Sequence, residues 1–160
     1  MYSVDSRDTV LPLPDVPQSS AGAPCPIVLA DEHTLILAYY LAARDQATID
    51  DSVAIVTFEG YDAMMFGPPN DEAFKGHPLA ARGLSPYRAH EIKGSSWIRT
   101  LEGMNSVHHN HEPERYDSLR HFIFAFHDST FECVATGYII ATGKGPLGRV
   151  IDAMRVGLQR

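Results

Sequence analysis

A chain of 160 residues with 44% apolar and 21% charged residues has room for one domain with a full core, far from the compositions of disordered or membrane-embedded chains. Its formal net charge of −7, from 13 Lys and Arg against 20 Asp and Glu, argues against nonspecific affinity for nucleic acid or anionic lipid, since both need a basic footprint. The first residues have neither a basic start nor the apolar stretch of a signal peptide, and nowhere do about 18 apolar residues run together, so the expectation is a cytoplasmic protein with a small molecule or another protein as partner, and no membrane or nucleic acid.

Residues 1–26 carry Pro12, Pro14, Pro17, Pro24 and Pro26. Proline fixes φ and lacks a backbone N–H, so this density predicts an extended arm that lies along the domain or dangles from it, with Leu11, Leu13 and Val16 available to pin it. The domain itself is expected over residues 27–160. A strand from Ile27 to Ala30, a turn at Asp31-Glu32-His33 and a longer strand from Thr34 to about Ala42 come first. The run Leu35 to Leu41 also fits a helix, and the short connection is what favours a hairpin.

Residues 43–51 read as a polar loop, Val53 to Phe58 as a strand, and Gly60 as a break or bulge before Tyr61 to Phe66. Gly67-Pro68-Pro69-Asn70 is a stop signal, after which Asn70 caps a short helix with Asp71 and Glu72 in its first turn, ended by Gly76 and Pro78. An extended piece from Tyr87 to Ile92 leads to Gly94-Ser95-Ser96, where a serine caps a helix with Trp97, Leu101 and Met104 on one face and His108 next on that stripe. Pro146 to Leu158 carries Leu147, Val150, Ile151, Met154 and Leu158 at helical spacing. Six or so strands on short connections, with a few short helices, predict a single α+β domain around a largely antiparallel sheet.

Five of the eight histidines fall between His108 and His127. Phe122, Phe124 and Phe126 alternate with His121, Ile123, Ala125 and His127, which on a strand puts the phenylalanines on the core face and the histidines opposite. A hairpin turning at Ser129-Thr130, or over Asp128 to Phe131, pairs His127 with Glu132, Phe126 with Cys133 and His121 with Tyr138. On that register His127 and Glu132 form a general acid–base pair, with Asp128 at the turn as an alternative carboxylate. The plain alternative is a cross-strand His–Glu pair on a solvated sheet face, contributing about 0.2–1 kcal/mol.

His108, His109 and His111 form a second group. Gly103 followed by His109-x-His111 resembles the opening of a cupin metal motif, but Arg115 and Tyr116 stand where that motif places its glutamate. A site for a divalent transition metal would draw on His108, His109 and His111 with His121, His127 or Glu132, while a solvated polar loop is the alternative. Gly67 through Leu79, with Asp71, Glu72 and His77, has the make-up of a rigid binding loop, or of an ordinary capped turn, and His77 is a candidate to complete the hairpin site, although sequence alone does not place it there. Thr142 to Gly148 lacks the spacing of a phosphate-binding loop, and no Gly-x-Ser-x-Gly elbow occurs. Cys25 and Cys133 form no Cys-x-x-Cys pair, which leaves either two free thiols or one long-range disulfide.

The strings Gly67-Pro-Pro-Asn-Asp-Glu-Ala, Gly76-His-Pro-Leu, Ser95-Ser-Trp-Ile and His121 through Cys133 resemble those of a group of small uncharacterised bacterial proteins. The likeness spans roughly residues 20–138. It implies a bacterial origin and carries no reaction. From the residues alone, two functions stand: a small-molecule enzyme using acid–base or metal-assisted chemistry on the hairpin face, or a non-enzymatic binding or regulatory protein presenting that face to a protein partner.

Overall fold

Nine β-strands and three helices make up the computed structural model, which describes residues 2–43 and 51–158. Residues 44–50, most of the expected polar loop, lie outside the described residues. The strands are β1 (Thr9–Pro12), β2 (Ile27–Ala30), β3 (Leu35–Tyr40), β4 (Ser52–Glu59), β5 (Ala63–Gly67), β6 (Ala89–Lys93), β7 (Arg120–Ala125), β8 (Thr130–Ala135) and β9 (Gly137–Lys144). Two antiparallel sheets result, ordered β1-β6-β7-β8-β5 and β2-β3-β4-β9, and together with the helices α1 (Ser96–Asn105), α2 (Glu114–Asp117) and α3 (Leu147–Gly157) they form one α+β domain. Among the described residues no helix is long and apolar enough to cross a membrane.

β3 explains its own ambiguity in the sequence. Leu35, Leu37 and Tyr39 face the core between the sheets, while Ile36 and Ala38 face Leu147, Val150 and Met154 of α3. A strand covered on both sides shows an unbroken apolar run and loses the alternation that separates strand from helix. The intersheet core is aromatic: Phe122, Phe124, Phe131 and Phe58 lie with ring centroids 5.4–6.0 Å apart. Burial of each such side chain stabilises the fold by about 1.5–3 kcal/mol, before the entropy of ordering it.

Two strand pairs cross from one sheet to the other at a shared corner. β4 continues into β5 through Gly60, and β8 into β9 through Thr136, whose backbone N–H donates to the Glu59 carbonyl at 2.8 Å. Gly60 adopts a φ of +53°, and a Cβ there would stand 3.0 Å from Thr136 Oγ1, so the expected break is a corner that only glycine fits comfortably.

The proline-rich arm is woven into the domain. β1 pairs with β6 at the edge of its sheet, where proline is tolerated, and ends at Pro12. Further on, a bridge between Ser19 and Leu41 and the bond from the Tyr39 hydroxyl to the Pro17 carbonyl (2.8 Å) tie the arm to the other sheet. Two local expectations change. The segment after Asn70 forms 3-10 turns at Phe74–Gly76 and Ala80–Arg82 in place of a helix, although Asn70 Oδ1 does accept from the Ala73 N–H at 3.0 Å. In α1, capped by Ser95, Trp97 is buried but Met104 is 69% exposed, and the helix ends before His108.

The β7–β8 hairpin corrects the expected register. Its connection is His127-Asp128, closed by the Phe126 N–H on the Ser129 carbonyl at 2.8 Å, so Phe122 faces Cys133, Ile123 faces Glu132 and His121 faces Val134. The turn lies nearer β7 than the expected Ser129-Thr130. The displacement is an even number of residues, so each side chain keeps its expected face while its partner changes. Tyr138, expected opposite His121, pairs with Phe58 in the other sheet because the chain crosses over at Thr136.

Cys25 is exposed and Cys133 buried, and both are free. Burial pushes the Cys133 thiol well up, so it should be inert in the native protein. Titration with a chromogenic disulfide is expected to label one thiol in the folded protein and both in denaturant; rapid native labelling of both would contradict the packing.

Candidate functional site

The face of β7 and β8 that carries His121 and Glu132 is the inside of a second core. Tyr2, Trp97, Tyr116 and Leu119 cover it, and His121 and Glu132 are 0% and 7% exposed. His77, from the loop between the two 3-10 turns, joins them. Its Nε2 lies 3.1 Å from Glu132 Oε1, His121 Nε2 lies 3.0 Å from Oε2, and the Tyr2 hydroxyl donates to Oε2 at 2.7 Å. His121 reaches Glu132 as a diagonal neighbour across the strands, since its direct partner is Val134.

The outer ring nitrogens settle which way the protons point. The Leu79 N–H donates to His77 Nδ1 at 3.1 Å, so the His77 ring proton sits on Nε2 and is given to Glu132. Ser95 Oγ accepts from the Ile98 N–H as the cap of α1, and its own proton is available to His121 Nδ1 at 2.9 Å, which leaves the Nε2 proton of His121 to Glu132. One carboxylate thus meets three buried donors. Burial alone would raise the Glu132 carboxyl, but the hydrogen bonds from His121 and His77 outweigh it and bring it down to about 2.

A depressed carboxyl stabilises the fold above its unfolded value of 4.5 and loses that contribution as pH falls through its folded value of about 2. Urea unfolding followed between those limits is expected to lose roughly 3 kcal/mol from this group. A variant without the Glu132 carboxylate should lack that part of the acid dependence. Equal acid sensitivity in the two proteins would contradict the network.

His127 is separate from this core. It lies in the hairpin connection, outside the paired register, so the expected His127–Glu132 pair does not form. Its carboxylate is Asp71. Asp71 Oδ2 lies 2.9 Å from His127 Nδ1, and the two segments are also joined by the Asp71 N–H on the His127 carbonyl at 2.9 Å and by Thr130 Oγ1 on the Pro69 carbonyl at 2.8 Å. Tyr87 completes the group: its hydroxyl donates to Asp71 Oδ2 and lies 3.3 Å from His127 Nδ1, with the two rings stacked. The phenol has one proton and gives it to Asp71, so toward the imidazole its oxygen can only accept. In the neutral ring Nδ1 therefore carries the proton and Nε2 a lone pair, on a side chain 40% exposed.

Hydrogen bonds from Tyr87 and then His127 hold the Asp71 carboxyl below its ordinary range, despite the opposing effect of burial. Tyr87 sits at φ +61°, a left-handed conformation that a bulky residue rarely adopts and that is held in place by its surroundings. Asp128, the other expected carboxylate, is 86% exposed and only within 3.9 Å of His127 Nε2.

His108, His109 and His111 stay on the loop after α1. His108 and His109 stack at 4.6 Å, His108 Nδ1 accepts from the Asn110 N–H, and His111 Nδ1 pairs with Asn105 Oδ1 at 2.9 Å. His121 is not with them. Among the described residues no group of three or more His, Cys, Asp or Glu is arranged to hold a metal ion, so the expected ligand set is not assembled. His90, buried with its Nε2 3.2 Å from Ser85 Oγ, is held down to about 4 by burial and the charge of Arg88.

The chain matches no known protein family, curated protein or solved structure. Its chemistry must therefore be argued from the residues. Sequence reading missed Tyr2, Ser95 as a partner of His121, and Tyr87. Asp71 stood in the candidate loop, where its carboxylate was a visible signal, but nothing local tied it to His127. Tyr87 had no signal at all, because a left-handed backbone at a tyrosine leaves no mark in the sequence.

Proposed function

We propose that the protein is an enzyme acting on a small molecule by acid–base chemistry, with Nε2 of His127 as the base. The observation that supports this is the setting of the ring: Asp71 Oδ2 lies 2.9 Å from Nδ1, which in the neutral imidazole leaves Nε2 as an acceptor on an accessible side chain. That is what a general base requires, a basic nitrogen held in one tautomer by a carboxylate on the far side of the ring. Asp71 orients the ring and stabilises the imidazolium that forms when Nε2 takes a proton. Tyr87 fixes Asp71 and is a positioning residue. The buried Glu132, His77 and His121 stand behind the hairpin as its support.

Hydrolysis of 4-nitrophenyl acetate tests the proposal without knowledge of the natural substrate, since an oriented imidazole accelerates attack on an activated ester. The wild-type rate is expected to exceed that of His127→Gln by about 100-fold, the lower end for acid–base catalysis. A variant with the wild-type rate would overturn the assignment. His108→Ala and His109→Ala serve as controls for diffuse imidazole catalysis and are expected to leave the rate unchanged.

A further inference from the structure

We infer that the cleft between the proline-rich arm and the start of β6 binds a small organic anion, whose carboxylate is held by the guanidinium of Arg88. The cleft has a volume of about 460 Å³ and runs between the arm from Pro12 to Gln18 and residues Arg88 and Ala89. That is the size of a small-molecule site, and its walls of proline, Leu13 and Val16 suit an apolar body. The prolines and the bond from Tyr39 to the Pro17 carbonyl pre-form one wall, so little ordering is required on binding.

Charge selects the ligand class. Among the described residues Arg88 is the sole charged residue of the lining. Arg7, Arg99, Arg115 and Arg120 each hold a carboxylate and Arg82 two backbone carbonyls, whereas Arg88, like Arg149 and Arg155, has no ion-pair partner among the described residues, and of these three Arg88 is the one at the cleft. In a chain of net charge −7 a guanidinium left unpaired beside an apolar cleft favours a planar anion, which it can meet with two parallel hydrogen bonds.

A second, independent observation lies deeper. Next to the cleft, and sharing Val16, Pro17, Arg88 and Ala89 with it, is a recess of about 10 Å³, large enough for a single oxygen-sized group. Ser19 lines this recess. The residue is 4% exposed, and its Oγ is buried without a hydrogen-bond partner. An unpaired buried hydroxyl is unfavourable, and Ser19 Oγ, which has almost no accessible surface, would meet a ligand oxygen only as the recess opens slightly around it. Tyr87 lines the same recess and also bonds Asp71, so one side chain joins the recess to the His127 group. What the anion is for rests on the reading of His127 as a base; that it binds here does not.

The test is an amide NMR titration of the full chain with benzoate, repeated with its neutral counterpart benzamide. Benzoate is expected to shift the amides of Leu13, Val16, Gln18 and Ala89 saturably, with a dissociation constant on the order of 1 mM. Binding should weaken by about ten-fold or more in Arg88→Gln, and by a similar factor for benzamide with the wild type. His127→Gln should leave benzoate binding unchanged. Shifts that do not saturate, that centre elsewhere, or that are equal in Arg88→Gln would overturn the inference. Benzoate binding at the cleft combined with ester hydrolysis indifferent to His127 would keep the anion site and reject the base; the reverse pattern would keep the base and reject the anion site.

Discussion

Replacing Glu132 by alanine is expected to destabilise the fold by about 3–5 kcal/mol, the range for removing one partner from a buried charged network. The substitution leaves the Nε2 protons of His77 and His121 and the hydroxyl of Tyr2 facing a cavity, where water is hard to recruit beneath Trp97 and Tyr2. Each stranded donor carries its own desolvation penalty, and the lost side-chain volume adds to it. Because the three donors come from the chain's beginning, the 3-10 loop and β7, the loss should be cooperative and lower the urea midpoint without a new intermediate. A loss below about 1 kcal/mol would show the network to be loosely packed or already wet.

Asparagine at position 71 is expected to lower ester hydrolysis by up to about 100-fold, no more than loss of His127 itself, while leaving stability nearly unchanged. Asp71 accepts from both Tyr87 and His127. Both bonds end on the one oxygen, Oδ2, so asparagine keeps them only with its carbonyl oxygen there, and even then it lacks the charge that stabilises the imidazolium; turned the other way, it presents an amide donor to both. With its NH₂ toward Nδ1, the ring proton moves to Nε2 and the base is lost, as in triads whose aspartate is amidated. The site lies at the surface, so the folded state has little to lose. Unchanged hydrolysis in Asp71→Asn alongside a rate-deficient His127→Gln would mean that Asp71 merely anchors the loop.

The faces of the hairpin were legible because period-two alternation survives any even shift in register, so Phe122, Phe124 and Cys133 fall on the core side as read. The partners were not legible, since they depend on where a two-residue connection forms, and His127-Asp128 carries no glycine to mark it. The corner at Gly60 could be read from one residue, but its match at Thr136 is a long-range pairing. Most consequential, the histidine face read as solvated is covered by Tyr2 and Trp97, residues whose arrival no local pattern announces. The site then divides in two. Glu132 and His77, expected to be catalytic, bond to each other in the interior, and His127 takes its carboxylate from a loop 56 residues earlier in the chain.

The base at His127 is defined by a single proton, and nitrogen NMR of the histidine rings reads it directly. In the wild-type protein at a pH where His127 is neutral, the ¹⁵N shifts should report a protonated Nδ1 and an unprotonated Nε2, and Asp71→Ala, which leaves Nδ1 no carboxylate to donate to, should let the two tautomers exchange. A wild-type ring protonated at Nε2, or averaging freely between the two tautomers, would contradict the account, because Asp71 would then not hold the imidazole as a base.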